Sequence, residues 1–149
     1  MSRLPIEDYP ELLLEYGRAF AWLNITEDHL NSILIVKAGL GRANGKTVTQ
    51  ILDDMMVGKK ISLASDYLPK NTVKRLWQLN DRRLLLAHGT TGEEVPADNP
   101  SLKTGKLSIQ HKQQKCDFSK PFLNETITLA KEIAEELHQE IIKVITSKK

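Results

Sequence analysis

Arginine and histidine stand close together in residues 79–89, which read LNDRRLLLAHG. A histidine exchanges a proton near neutral pH, and an arginine binds a phosphate group through a planar fork of N–H donors. Arg82, Arg83 and His88 therefore favour chemistry on a phosphodiester, in which the imidazole moves a proton and a guanidinium stabilises charge on phosphorus. Asn80 adds an amide that forms hydrogen bonds beside them. These four residues are the candidate catalytic residues.

A helix through this segment would separate the candidate side chains. At about 100° per residue, Arg83 and His88 lie about 140° apart around the axis, and Arg82 and His88 about 120° apart in the other direction. A second copy of the helix across a two-fold axis would supply the missing partner, which predicts a homodimer with a shared site. The alternative is structural: both arginines are solvated or paired with acids, and His88 interacts with the last carbonyl groups of the helix.

Other kinds of site find little support in the sequence. Residues 39–47, GLGRANGKT, resemble a phosphate-binding loop, but Leu40 stands where that loop needs a glycine. No two histidines have the spacing of a helical metal site, and one cysteine, Cys116, forms neither a disulfide nor a cysteine metal cage. Cys116 lies among lysines, which would lower its thiol pKa, but it has no base partner. We expect no metal ion and no cofactor.

The first half of the chain shows helical periodicity. From Pro10 onward, apolar residues recur at three- and four-residue steps until Gly39, which is the pattern of a long amphipathic helix. Thr47 or Thr49 caps a second helix, and Gly58 ends it. A short third helix is predicted at residues 61–68, so three helices precede the helix that carries the candidate residues.

The second half places the candidate residues near a helix end. Asn71 caps a helix over residues 72–88 that Gly89 ends. Residues 90–120 show little periodicity apart from an alternation at 107–110, so we predict a long functional or mobile loop with one short strand. Apolar residues of the last helix share one face. The fold class is therefore predicted as all-α, a helical bundle of four to five helices with a long, partly extended insert before the last helix.

Composition indicates an ordinary globular chain with an uneven charge distribution. Its 149 residues are 40% hydrophobic and 27% charged, which is typical of one domain spanning residues 1–149. The net charge is only +2, yet basic residues concentrate in the middle of the chain and before the last helix. We predict that the basic side chains Lys74, Arg75, Lys112 and Lys115 contact a phosphate-bearing partner such as RNA. With no signal peptide and no membrane-spanning stretch expected, the protein is predicted to be cytoplasmic.

Residues 79–89 resemble the signature of HEPN domains, in which Arg and His are separated by four to six residues near a helix end. The resemblance implies a helical bundle that cleaves RNA as a homodimer without a metal ion, often in toxin–antitoxin, phage-defence or RNA-processing systems. Arg83 and His88 match the four-residue spacing, but Leu84 follows Arg83 where members usually have a polar residue. Arg82 is followed by a polar residue and stands at five-residue spacing, so either arginine fits the signature.

The resulting hypothesis is a metal-independent endoribonuclease of HEPN type. In it, His88 acts as general acid or base, Arg83 and Arg82 bind the scissile phosphate, and Asn80 assists by a hydrogen bond. The alternative is a non-catalytic HEPN-like or helical interaction module, such as an antitoxin, an adaptor or a regulator that binds a cognate partner protein.

Overall fold

The computed structural model describes residues 9–41, 45–93, 95–99 and 106–147. These residues form five α-helices and one small sheet with the bounds α1 (Pro10–Val36), α2 (Val48–Asp53), α3 (Val57–Ala64), α4 (Lys70–His88), β1 (Thr90–Glu93), β2 (Leu107–His111), β3 (Gln114–Asp117) and α5 (Lys120–Ser147). The prediction of a mostly helical fold is confirmed, whereas the sheet departs from an all-α class.

Two sequence-based expectations concern residues that lie outside these ranges. The expectation about a signal peptide depends on residues 1–8, and the glycine-rich segment includes residues 42–44. In the described part of the chain, none of the helices is both long and apolar enough to cross a membrane.

The two longest helices, α1 and α5, run parallel through the centre of the fold. Lys120 at the start of α5 lies beside Glu11 at the start of α1, and Glu140 near the end of α5 binds Lys37 just after α1. The fully buried side chains between them include Leu30, Ile33, Leu34, Leu123, Ile133 and Leu137. The burial of each such side chain contributes about 1.5–3 kcal/mol to the stability of the fold. The apolar face predicted for the last helix is therefore a core face.

Helix α4, which carries the candidate residues, packs against α5 in the opposite direction. Arg75, near the start of α4, forms an ion pair with Glu136, whereas Arg82, near its end, reaches Glu125 close to the start of α5. The side chains that α4 buries in the core include Leu76, Leu79, Leu85 and Leu86.

Two predicted helix boundaries are wrong. Gly58 does not end α2, which stops at Asp53; it lies in the first turn of α3, so α3 starts earlier than predicted. Asn71 is not the cap of α4, because the helix begins at Lys70 and the cap position is occupied by Pro69, whose ψ of 143° is not helical. The cap predicted for α2 is confirmed, since the Thr47 hydroxyl accepts a hydrogen bond from a backbone N–H of the first turn.

The insert between α4 and α5 contains a three-stranded antiparallel sheet in the order β1-β2-β3. The strand predicted at residues 107–110 is confirmed, but the predicted loop is wrong at 90–93 and 114–117, which pair with it on either side. These flanking strands have four residues each, and their apolar and polar residues alternate only weakly. Their stability therefore depends on pairing with β2. Residues 94 and 100–105 of the insert lie outside the described ranges.

Candidate catalytic site

Arg82 is bound to α5 through both terminal nitrogens of its guanidinium. It donates to the Thr126 hydroxyl at 2.9 Å and to the Phe122 carbonyl oxygen at 3.2 Å. It also lies 4.9 Å from the centroid of the Phe122 ring, and its other terminal nitrogen is 3.3 Å from the Glu125 carboxylate. These contacts hold α4 against α5. Arg82 is therefore paired with an acid and has a structural role, as the structural alternative supposes.

Arg83, the next residue, lines an open groove between α4 and the α2–α3 segment. The groove has a volume of about 760 Å³, and its lining consists of Lys46, Ile51, Asp54, Met55, Met56, Val57, Gly58, Lys59, Asn80, Arg83 and Leu84. Lys46 is paired with Asp54 at 3.0 Å, whereas neither Lys59 nor Arg83 has a hydrogen bond or an ion pair to any described residue. An apolar groove with two unpaired cations suits an anion attached to an apolar or flat group.

Asn80 lines the same groove one helical turn before Arg83. Its side-chain Oδ1 is buried and has no hydrogen-bond partner in the described part of the chain. Leaving such an oxygen unsatisfied costs about 1–3 kcal/mol. The Asn80 side chain therefore has an unused hydrogen-bond acceptor beside the groove.

A buried ion pair sets the position of α3 beside this groove. Lys60 on α3 is only 2% exposed, and its Nζ donates to Glu27 on α1 at 2.7 Å. Glu27 also lines a narrow cleft behind the groove together with Asn80 and Arg83. Since a buried ammonium group needs an opposite charge, this pair holds α3 against α1 and so shapes one wall of the groove.

His88 is the exposed last residue of α4. Its imidazole has no hydrogen bond to a described residue, so it does not cap the last carbonyl groups as the alternative hypothesis supposes. The N–H of Gly89 donates to the Leu85 carbonyl at 2.8 Å, and the Tyr16 hydroxyl donates to the Leu86 carbonyl at 3.0 Å. Two carbonyl groups of the last helical turn thus have donors other than His88, whose ring nitrogens have no hydrogen-bond partner among the described residues.

Gly89 lets the end of α4 approach β2 closely. A Cβ at this position would lie 2.2 Å from the Leu85 carbonyl oxygen and 2.6 Å from Cγ1 of Ile109. Only glycine fits there. The antiparallel register that follows pairs Thr90 with Gln110 and therefore brings the next residue of β2, His111, to the helix end.

His111 is the residue that the sequence analysis missed. Its ring centroid lies 5.8 Å from that of His88, with the two rings tilted by 37°. Ile109 and His111 are two positions apart on β2 and so share a face, and Ile109 is the residue against Gly89. The two histidines are not related by helical spacing, and the strand predicted at 107–110 was the available signal in the sequence.

The structure does not bring Arg83 and His88 together within one subunit. Arg83 lines the groove beside α3, whereas His88 lies beside β2 and is not part of the groove lining. Helix α4 is continuous through both residues, which keeps them about 140° apart around its axis. Within one copy of the chain, the two side chains therefore have different surroundings.

The four basic residues predicted to contact RNA have different surroundings. Lys74 is exposed on α4, and Lys112 and Lys115 are exposed at the β2–β3 turn, where both line an open cavity of about 430 Å³. Arg75 instead forms ion pairs with two glutamates of α5. Three of the four cations are therefore accessible to a polyanion.

Cys116 is not an activated thiol. Burial raises the pKa of the Cys116 thiol, the negative charge of Asp117 raises it further, and the positive charge of Arg82 offsets only part of the increase. The expectation of a lowered pKa is wrong because desolvation outweighs the nearby cation. In the described ranges, no group of three or more His, Cys, Asp or Glu side chains is arranged to hold a metal ion.

Comparison of the chain with protein-family models, with curated proteins and with solved structures found no match.

Proposed function

We propose that this protein is a metal-independent endoribonuclease of HEPN type that acts as a homodimer. The observation that carries the proposal is the contrast between neighbouring arginines near an exposed histidine. Arg82 is used in packing, whereas the guanidinium of Arg83 lines an open groove, has no hydrogen bond or ion pair to a described residue, and can bind a phosphate through two N–H donors. His88, on the same helix, has an exposed imidazole without a hydrogen bond to a described residue.

These groups suit cleavage of RNA through its own 2′-hydroxyl. The 2′-oxygen attacks the adjacent phosphorus, the bond from phosphorus to the 5′-oxygen breaks, and the products are a 2′,3′-cyclic phosphate and a 5′-hydroxyl. His88 moves a proton at one of these oxygens, and Arg83 stabilises the charge on the pentacovalent phosphorus. The Asn80 amide adds a hydrogen bond, and Lys74, Lys112 and Lys115 attract the RNA backbone.

The composite site follows from the positions of these residues on α4. Arg83 of one copy and His88 of the other act on the same phosphate when two α4 helices face each other across a two-fold axis. Arg83 replaces Arg82 as the preferred phosphate ligand in this proposal, because Arg82 would have to break its contacts with α5 to bind RNA.

RNA cleavage in the presence of a chelator tests the proposal. We expect the wild-type protein to cut mixed RNA in excess EDTA, and Arg83→Ala and His88→Ala each to slow cleavage at least about 100-fold. Lys70→Ala, which removes an exposed cation from the first turn of the same helix, is the matched control and should cut at the wild-type rate. Intact RNA with every protein, or equal cleavage by all of them, rejects the proposal.

A non-catalytic interaction module is the second candidate, and the apolar character of the groove favours it. Met56 is 76% exposed there, and Leu84 lines the groove in place of the usual polar residue. In this case the protein would bind a cognate partner, as an antitoxin or regulator does. RNA binding distinguishes the two: the nuclease binds RNA with an affinity that falls steeply with salt, whereas the interaction module does not bind RNA at low salt.

A further inference from the structure

We propose that His111 is a second proton-transfer residue of the site, so that His88 and His111 of one subunit form its acid–base pair. One imidazole takes the proton of the attacking 2′-hydroxyl, and the other gives a proton to the departing 5′-oxygen. This inference rests on the proposed nuclease function and adds a residue that the Arg and His motif does not contain.

The geometry of the two rings supports a joint role. Their centroids are 5.8 Å apart, and neither ring has a hydrogen bond to any described residue. A proton donor or acceptor must come within about 2.6–3.2 Å of the reacting oxygen, so two rings at this separation reach two oxygens of the same phosphate group. The pair lies at the exposed end of α4, where a strand of RNA has access.

The pair is held in place by the backbone around it. Gly89 permits Ile109 to pack against the end of α4, and Ile109 is 1% exposed. His111 shares the face of Ile109 on β2 and is therefore directed toward His88. Because the hairpin continues from His111, paired with Gln114, into β3, the imidazole is carried by a hydrogen-bonded strand rather than by an isolated loop.

The chemistry balances without any co-reactant. The bond between the 2′-oxygen and phosphorus forms while the bond between phosphorus and the 5′-oxygen breaks. The 2′-hydroxyl proton passes to the neutral imidazole, and the proton of the charged imidazole passes to the 5′-oxygen. The two rings end the step with exchanged protonation states, and proton exchange with water restores them. Arg83 of the second copy neutralises the phosphate during the step.

A second histidine pair provides a matched control. His29 on α1 and His138 on α5 also have ring centroids 5.8 Å apart. His29 is hydrogen-bonded to the Ile25 carbonyl at 2.8 Å, and it lies about 20 Å along α1 from Tyr16, which contacts the end of α4. A variant of this pair changes the same residue type at the same ring separation but outside the proposed site.

The test compares two RNA oligonucleotides that differ in one atom. The first has the natural 5′-oxygen at the scissile phosphate, and the second has sulfur there, which departs as a thiolate without a proton. We expect His88→Asn and His111→Asn each to cut the natural oligonucleotide at least about 100-fold more slowly than wild type. The variant that lacks the proton donor should cut the sulfur oligonucleotide within about tenfold of the wild-type rate. The variant that lacks the proton acceptor should cut it more slowly than that. His138→Asn should match wild type on both.

Each other outcome contradicts a defined part of the inference. If His111→Asn cuts both oligonucleotides as fast as wild type, His111 has no role, and the proposed nuclease function stands without it. If both variants lose equal activity on both oligonucleotides, His111 only supports the structure, and the acid–base pair is rejected. If the wild-type protein cuts neither oligonucleotide nor mixed RNA, the nuclease function itself fails.

Discussion

Arg82 and Arg83 are adjacent in the chain but have opposite surroundings, because successive residues on a helix point about 100° apart. Arg82 faces α5 and forms two hydrogen bonds, an ion pair and a ring contact there. Arg83 faces the groove and has no such partner in the described ranges. The same side chain thus supports packing at one position and is free for a ligand at the next.

We expect these two positions to separate stability from activity. Arg82→Ala should lower the free energy of unfolding by about 2 kcal/mol, since it removes charge-assisted hydrogen bonds from the α4–α5 contact. Arg83→Ala should change it by less than about 0.5 kcal/mol while abolishing cleavage. Urea denaturation of both variants measures this difference, and equal destabilisation by the two would contradict it.

Cys116 illustrates how burial and charge compete at one residue. Burial raises its thiol pKa, and the positive charge of Arg82 opposes the increase. We expect iodoacetamide to alkylate Cys116 more slowly in the folded protein than in urea at pH 8, because less thiolate is present. Arg82→Gln should slow the folded-state reaction further, since it removes that cation. A folded protein that reacts as fast as the unfolded chain would contradict the raised pKa.

The end of α4 shows how one backbone position organises two elements. Gly89 stops the helix, starts the chain toward β1 and accepts Ile109 of β2 at a distance that no side chain permits. The spacing between His88 and His111 depends on this contact. The helix and the hairpin therefore act as one unit at the proposed site.

Gly89→Ala tests this unit. The added methyl group would overlap the Leu85 carbonyl and the Ile109 side chain, so we expect the free energy of unfolding to fall by about 1–3 kcal/mol. Gly92→Ala on β1 is the control, because a Cβ there meets nothing within 4 Å. Thermal unfolding of the two variants measures the difference, and an equal change in both would show that the close approach does not matter.

The parallel pair of α1 and α5 is joined near its carboxyl end by an ion pair. Lys37 donates to Glu140 at 2.6 Å, and the two side chains are only 17% and 14% exposed. The hydrogen bond from Lys37 lowers the pKa of the Glu140 carboxyl, and Lys143 adds to the effect. Water therefore screens the attraction between these two charges less than it screens an ion pair on an open surface.

The pKa of Glu140 predicts a pH dependence of stability. A carboxyl whose pKa is lower in the folded state stabilises the fold above its unfolded pKa of about 4.3, and this stabilisation is lost as the pH falls through the folded pKa. We expect Glu140→Gln to lower the free energy of unfolding by about 1 kcal/mol at pH 7 and to converge with wild type as the pH drops below about 4. Glu135→Gln, on the exposed side of α5, is the control. A difference that stays constant from pH 7 to pH 3 would contradict the shifted pKa.

At the scale of the whole molecule, the proposed site is incomplete in one copy of the chain. Arg83 and His88 are held on different sides of α4, which is one continuous helix through both residues. A two-fold axis that places two α4 helices face to face would complete two sites at once, each with an arginine from one copy and histidines from the other.

Subunit mixing tests this arrangement. Arg83→Ala and His88→Ala dimers should each be inactive, but after subunit exchange the heterodimer contains one site with both wild-type residues. With random exchange, about a quarter of wild-type activity should return. His88→Ala mixed with His111→Asn should recover nothing, because both histidines are placed in the same site. A protein that remains monomeric while cutting RNA would contradict the shared site.

The site could be predicted from the sequence only in part. Residue types within twenty positions of one another predict the Arg and His motif, its helix and Gly89 as the helix end. The same residues predict that Arg83 and His88 are separated around the helix axis. The position of His111 was not predicted, since it depends on a strand pairing that the weak pattern of residues 90–93 does not reveal.

The sequence by itself determined the long helices and the helix that carries the candidate residues, because helical periodicity and stop signals are local properties. The tertiary structure alone decided which arginine is free, that Cys116 is protected by burial, and that His88 has a histidine neighbour. Those properties depend on contacts with α5, with the α2–α3 segment and with β2, whose residues lie about 20 to 45 positions away from the motif. The reactive groups can therefore be identified from the sequence, whereas their contact partners are determined by tertiary packing.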